Sequence, residues 1–464
     1  MNSIPQIMEL FLTSTAKVLS SADGSDFGHR LELIASANAA MMQGLLADLL
    51  HQQDEAIAQT GQRKRDWVVL RRDSRTLTTA FGELRFKRRY YRHRKTGEYA
   101  YLLDRYLGIE AYAKVNGDVR QKAVELAEQG PYARSAAAAC PGGISRMSVG
   151  NYVRELERFP MLETEGECRA VKQLYVEADE DHTALQEGGQ AQVKLVYIHE
   201  GCIWENGRKK LVNARYATFP LHWDSDRIWK TVDRYICTQY DPETLEQVYL
   251  SGDGAPWIRK GEEWLYPCVP VLDSYHTLKA LRSLCGGDRK LSAAFMRCVW
   301  EDRREDALNL CADMLQSVGE AERKKKQKTA DYLLNNWVRI RNQRQPGAVG
   351  CSAEGHVSHV LSARLSSRPL GWSKENLMNM AQLRIMRANG QLISYEALRG
   401  RRKDAEKINE AERVVHTKRF QNSVTRAGRT CLQGAVKKLP ILTNGKNSPL
   451  YQCLHGISLC SAVS

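Results

Sequence analysis

Apolar positions recur at helical spacing from Ile4 to about Thr60, among them Leu31, Leu33, Ile34, Met41, Leu45 and Leu49, which predicts helices whose apolar side serves core or dimer packing. From Trp67 to Tyr101 the period drops to two. Leu84 and Phe86 alternate with Arg85 and Lys87, between turns at Phe81-Gly82 and Thr96-Gly97, so this stretch reads as β-structure with one apolar and one cationic face. Arg120 to Arg158 then gives three short helices separated by breaks: QKAVELAEQG, PYARSAAAAC and PGGISRMSVGNYVRELERF. That spacing is compatible with a helix-turn-helix whose last helix carries Arg146, is capped by Ser145 or Ser148, and enters a major groove; a plain helical hairpin fits the same periodicity.

The centre of the chain changes character. Gln173 to Ala178, Val193 to His199 and Leu211 to Phe219 read as successive strands, followed by a helix from about Asp226 to Tyr240. Val248 to Ser251 and Val269 to Leu272 add two strands around a helical Trp257 to Trp264 stretch. The order β-β-β-α-β-α-β predicts an α/β, RNase H-like core. Nearly everything from 277 to about 345 reads as a helical insertion, with the basic run ERKKKQK at Glu322 to Lys328. Such a run is commonly a solvated face, and a helical insertion beside a DNA channel would also need it.

The domains expected are thus a helical, oligomerising region over 1–60, a basic β-rich segment over 61–118, a helical segment over 119–165, the RNase H-like domain over 166–398, and a basic tail over 399–464 that ends in a loop.

Charge sharpens this picture. Lys and Arg exceed Asp and Glu by 68 to 54 over 464 residues, giving +14, and +10 of that falls between Gly61 and Thr96. The imbalance favours a polyanionic partner. In RFKRRYYRHRK the cations Arg85, Lys87, Arg88, Arg89 and Arg92 can neutralise phosphates while Tyr90 or Tyr91 packs on sugars or bases. The twelve cysteines are scattered with no C-x-x-C pair, which argues against a zinc ribbon and for reduced thiols. The N-terminus lacks the order of a signal peptide and no run of about 18 apolar residues is seen, so the expectation is a cytosolic protein away from membranes.

Three acidic settings carry the candidate chemistry. LYVEADEDH ends an apolar strand, and alternation puts Glu177, Asp179 and Asp181 on one face with Val176 and Ala178 on the other; any of the three acids could be a ligand by this criterion. In VYLSGDGAPWI, Asp253 sits between glycines that let backbone and substrate come close. Glu354 opens a helix-like run that also carries Arg364 and Arg368. A fourth motif, Asp273-Ser-Tyr-His276, places His276 near a helix start, where it can orient a water, a carboxylate or a phosphate. Phosphodiesters resist attack, and catalysts that cut them commonly use two divalent ions held by hard oxygen ligands; Mg²⁺ suits a set of three carboxylates.

Taken in order, Asp179, Asp253, Asp273-x-x-His276 and Glu354-Gly355 resemble the motifs of the DDE transposases of bacterial insertion sequences, in the group related to Mutator elements. Within that group the chain is most similar to the ISLre-type transposases, once grouped as an uncharacterised protein family. TAFGELRFKRRYY, YLLDRYLG, LYVEADEDH, YLSGDGAPWI, VLDSYHTLK and CSAEGHVSHVLSARLSSRPLGW carry the likeness, which runs from about Thr76 to the tail. The resemblance favours Asp179 over its neighbours, with Asp181 as the fallback. It implies that Asp179, Asp253 and Glu354 are catalytic and bind Mg²⁺ or Mn²⁺, that His276 is a further catalytic residue outside the metal set, and that Arg146, Arg364 and Arg368 add to the DNA contacts. It further implies a bacterial cytosolic protein that cuts and joins double-stranded DNA at terminal inverted repeats, as a homo-oligomer. A nuclease without strand transfer and a non-enzymatic DNA-binding regulator are the rival readings.

Overall fold

In the computed structural model the chain up to residue 400 divides into two compact units, Met1–Ala127 with Pro131–Val149 and Glu128–Gly130 with Gly150–Gly400. The structure describes residues 4–20 and 26–399 except 158, 160, 161, 164, 165 and 369. The basic tail expected over 399–464 lies outside the described residues apart from Arg399, as do Cys431, Cys453 and Cys460. The nine described cysteines are unbridged.

In the first unit the helix Phe27–Gln59 begins where the Asp26 carboxylate accepts the backbone N–H of His29 at 2.7 Å, satisfying a donor that a first turn leaves free. A three-stranded antiparallel sheet follows, in the order β1 (Trp67–Thr79), β2 (Gly82–His93), β3 (Tyr99–Ala100). Ile57 of the helix joins Leu77, Leu84, Phe86, Tyr91 and Leu103 in a single core. The segments 1–60 and 61–118, expected as separate regions, therefore share one interior. By length and composition the same helix is apolar enough to cross a membrane, as core helices of soluble proteins also are. Its hydropathy comes from Ala, Met and Leu averaged across scattered polar residues, with no unbroken apolar run. Three short helices, Gly117–Ala127, Tyr132–Ala139 and Arg146–Arg154, stand where three were expected, and the Ser145 hydroxyl accepts the Ser148 backbone N–H at 3.2 Å.

The second unit is built on a five-stranded sheet. Its strands are β4 (Gln173–Ala184), β5 (Gln190–His199), β8 (Arg215–Thr218), β9 (Gln247–Gly252) and β10 (Cys268–Leu272), with a separate hairpin of β6 (Cys202–Glu205) and β7 (Arg208–Leu211). The spatial order is β10-β9-β4-β5-β8; β5 is antiparallel to β4 and β8, whereas β9 and β10 run parallel to β4. The strand expected over 211–219 is thus split between the hairpin and β8, and β4 continues six residues past its expected end at Ala178.

Alternation along β4 sorts its side chains. Leu174, Val176 and Ala178 enter an apolar cluster with Trp229, Val232 and Ile236 of the helix Ser225–Gln239 and with Trp257. Tyr175, Glu177, Asp179 and Asp181 face the other way. Beyond β10 come the helices Ser274–Leu284, Arg289–Trp300, Arg304–Gln316, Glu320–Asn335 and Trp337–Arg341, which pack around Leu281, Phe295, Ala307, Leu333 and Trp337. The chain then returns to the acidic face of β4 through a helical run composed of Ala353–Val357, a π-helical turn Ser358–Ser362, and Ala363–Leu365.

Candidate active site

Three parallel strand ends set the site. Glu177 of β4 pairs with Ser251 of β9, so continuing that register by two residues aligns Asp179 with Asp253, just past the end of β9. Leu272 of β10 pairs with Gly252, and the Asp273 backbone N–H donates to the Gly252 carbonyl at 2.8 Å. Adjacent strands lie about 4.8 Å apart, so the residues leaving these ends share one edge of the unit.

The acids of β4 have different surroundings. Glu177 is buried and accepts hydrogen bonds from Tyr197, from the backbone N–H of Ser352 at 2.6 Å and from the Ser352 hydroxyl at 3.3 Å; His199 Nε2 lies 3.0 Å from its other oxygen. Burial pushes its carboxyl up, but the bonds from His199, Tyr197 and Ser352 outweigh that and hold it below the ordinary range. Asp181 is also buried, and accepts from Ser362 at 2.8 Å, Ser366 at 2.7 Å and Thr183 at 3.1 Å. Both acids therefore hold the returning helical run, Glu177 at its start and Asp181 at its end. Asp179, between them, has among the described residues only the Glu180 backbone N–H as a hydrogen-bond donor, at 2.8 Å. Burial pushes its carboxyl up to about 6; that N–H opposes the rise, the charges of Asp253 and Glu354 add to it, and His276 opposes it.

Asp253 occupies a turn that only glycines can flank. A Cβ on Gly252 would meet the Ala178 carbonyl oxygen at 2.7 Å, and one on Gly254, whose φ is +81, would meet Asn336 Oδ1 at 2.8 Å. The Asp253 carboxylate accepts the Ala255 backbone N–H at 2.8 Å, and its carbonyl accepts the Tyr332 hydroxyl at 2.6 Å. Arg259 donates to the Gly254 carbonyl at 2.8 Å and to Asn336 at 3.3 Å. Asp273 caps the helix Ser274–Leu284, and its second oxygen sits 3.1 Å from His276 Nδ1. That hydrogen bond raises the affinity of His276 for a proton against the effect of burial, with the charges of Asp273, Asp253 and Asp179 adding to it. Glu354 lies in the first turn of Ala353–Val357 with its side chain exposed.

The charges of Asp253, Glu354 and His276 thus reach Asp179, and those of Asp253 and Asp179 reach His276. Among the described residues no group of three or more His, Cys, Asp and Glu is gathered tightly enough to close on one metal ion as it stands. Sequence reasoning missed the clamps at Glu177 and Asp181 and the collar of Tyr332, Asn336 and Arg259. The serines at 362 and 366, one helical turn apart in a motif already singled out, were the available signal.

The expected DNA-contacting residues divide. Arg85, Lys87, Arg92, Arg146 and Arg368 are exposed, and Tyr90 is half-buried against Tyr99 and Tyr101. Four others are corrections. Arg89 is buried on Asp54 and Glu55, and Tyr91 is wholly buried. Arg88 is an ion-pair partner of Asp104 under the Tyr101 ring, where burial pulls its guanidinium down to about 10. Arg364 is buried with its guanidinium 4.8 Å from the Trp372 ring centre. Simple alternation fails in β2 because the buried positions pass from Leu84 and Phe86 to Arg89 and Tyr91, where the acids of the long helix supply partners.

Residues 29–402 match the family model described as "Uncharacterised protein family (UPF0236)". A UPF0236 protein of Caldanaerobacter subterraneus subsp. tengcongensis is 36% identical over 89% of this chain and 88% of its own, and its name joins eleven locus designations. A second from the same organism, joining four, is 35% identical over 91% of this chain and 89% of its own. A UPF0236 protein of Streptococcus gallolyticus, "in vanSb 3'region", is 28% identical over 71% and 76%.

Proposed function

The chain belongs to the uncharacterised protein family UPF0236, and we propose that it is a DDE transposase, an enzyme that cuts and rejoins duplex DNA on an RNase H-like core. The observation that supports this reading most is geometric: β4, β9 and β10 run parallel, and the register that pairs Glu177 with Ser251 and Gly252 with Leu272 brings Asp179, Asp253 and the Asp273–His276 pair to neighbouring strand ends, with the charge of Glu354 reaching Asp179. The order β10-β9-β4-β5-β8, with β5 alone antiparallel to both its neighbours, supports an RNase H-like core with the helices from 274 to 341 as its insertion. The names of the Caldanaerobacter relatives support it independently. One protein under eleven loci of one organism is the distribution expected of a gene that copies itself.

In this reading Asp179, Asp253 and Glu354 hold the divalent cations. Their donors are hard oxygens, and Asp179 lies in a buried acidic setting whose charge a cation would offset, a set that fits Mg²⁺ or Mn²⁺. The ions, when bound, supply an activated attacking oxygen and a stabilised leaving oxygen. His276, oriented by Asp273, holds a proton at the same edge. Cleavage adds water across a P–O bond and frees a 3′-hydroxyl; joining lets that hydroxyl displace the bridging oxygen of a second phosphodiester, one P–O bond forming as another breaks. The partner is duplex DNA at terminal inverted repeats, bound by a homo-oligomer in the bacterial cytosol.

The test is incubation of the purified chain with DNA carrying the sequences that flank its gene, in Mg²⁺. The expected products are a 3′-hydroxyl nick and a joined strand, both abolished by Asp179→Asn, Asp253→Asn and Glu354→Gln while DNA binding persists. Nicking without joined product identifies a nuclease instead. If Asp253→Asn cuts as well as the wild type, the site assignment is wrong.

A further inference from the structure

The helix Glu320–Asn335 ties the acidic site to a cationic surface. Its buried residues Ala330, Leu333 and Leu334 enter the insertion's core, which fixes its rotation. Near its C-terminal end Tyr332 reaches the Asp253 carbonyl at 2.6 Å. Lys328 and Lys324 precede Tyr332 by four and eight positions, so the three side chains form a slanting row, turning about 40° around the axis at each step, that ends on the Asp253 turn. At 1.5 Å of rise per residue, the two lysines stand about 6 and 12 Å along the axis from Tyr332.

The cations of this helix are not equivalent. Lys326 pairs with Glu322 at 3.3 Å, and Arg323 donates to the Leu315 carbonyl at 3.0 Å. Lys325 is exposed and its side chain unpartnered among the described residues, but it does not line the groove beside this helix, whereas Lys324 and Lys328 are exposed, have no ionic or hydrogen-bonded side-chain partner among the described residues, and do line it. Together with Arg323 and Gln327 they line a shallow groove of about 450 Å³. Unpaired ammonium groups this close to an acidic cluster are set to neutralise the charge of a polyanion whose scissile group enters that cluster.

From this geometry we infer that Lys324 and Lys328 bind phosphates about two nucleotides apart on the DNA strand that enters the site, the helix Glu320–Asn335 acting as its track. The inference rests on the strand-transfer reading and adds the path of the substrate. With about 3.4 Å of axial rise per nucleotide on each strand, the row spans roughly three to four nucleotides beside the cleaved bond.

The experiment measures binding of the full chain to a fluorescein-labelled duplex in EDTA, where no cutting occurs, over a series of KCl concentrations. Each phosphate neutralised contributes about 0.9 to the slope of log affinity against log salt, so Lys324→Gln/Lys328→Gln makes that slope shallower by roughly 1.8. Lys230→Gln/Lys290→Gln removes the same charge from exposed positions on two other helices and leaves the slope unchanged. A track variant with the wild-type slope, or a control pair with an equal loss, overturns the inference and leaves a solvated face. A chain that cuts DNA yet shows no slope change overturns the track alone. A chain that loses slope as expected but never cuts overturns the strand-transfer reading alone. A wild-type chain that does not bind duplex DNA overturns both.

Discussion

The carboxylate of Glu177 accepts the backbone N–H of Ser352 at 2.6 Å across 175 positions of sequence, and so fixes the residue from which the Glu354 helix starts. A buried acid held below its ordinary range contributes stability that is present above the unfolded value of 4.5 and is lost as pH falls through the folded value. Glu177→Gln removes the charge that orders Tyr197, His199 and Ser352, at a cost of about 3 kcal/mol at neutral pH. Denaturant unfolding from pH 7 to pH 3 checks this: the gap between wild type and variant should close in acid.

Asp179 carries the opposite sign. Its folded value of about 6 exceeds the ordinary 3.8, so its proton is held more tightly in the native state, and stability falls as pH rises from about 4 through 6. Asp179→Asn should therefore stabilise the protein above pH 7, by up to roughly 3 kcal/mol. Thermal melting against pH tests it, and an unchanged or lower midpoint at pH 8 would contradict the burial argument.

Metal addition should act on the same group. Mg²⁺ or Mn²⁺ that binds the folded site raises the melting midpoint of the wild type by mass action and leaves Asp179→Asn unmoved. Equal shifts in both proteins would remove Asp179 from the ligand set.

Asp181→Ala strands the hydroxyls of Ser362, Ser366 and Thr183 away from their shared acceptor. The expected cost is about 3 kcal/mol, with hydrogen exchange accelerated in 358–366 before the rest of the unit. Uniform acceleration would mean that Asp181 does not anchor this run in particular.

Arg89→Ala and Lys87→Ala separate structure from binding in β2. Loss of Arg89 leaves Asp54 buried without its cation and should cost about 3 to 5 kcal/mol, whereas loss of exposed Lys87 should cost under about 0.5 kcal/mol and weaken DNA binding. Matched chemical denaturation and binding curves for the two variants decide it.

The strands and the acids were legible because alternation and glycine punctuation act locally. The placement of Glu177, Asp179 and Asp181 on one face opposite Val176 and Ala178 needs nothing beyond the pleat. Their division of labour was not legible, because the partners that tie Glu177 and Asp181 to the returning helical run, Ser352, Ser362 and Ser366, come from 175 to 185 positions away. The same limit hid Tyr332, whose hydroxyl reaches Asp253 from a helix that reads as charged and exposed. In β2 the basic run looked uniform, and the acids packed against it, Asp54 and Glu55 on Arg89 and Asp104 on Arg88, separate its paired members from its exposed ones.

The acidic face of β4 also has a consequence for how the protein tolerates change. Because a strand has a period of two, a single residue inserted into or deleted from β4 ahead of Val176 exchanges the two faces of everything after it in the strand. Val176 and Ala178 would then meet the helix of Glu354 while all three carboxylates entered the apolar cluster around Trp229. Both anchors and the central acid would be lost in one event, so length variation among working copies of this protein should fall outside 173–184 and concentrate in the connections between strands.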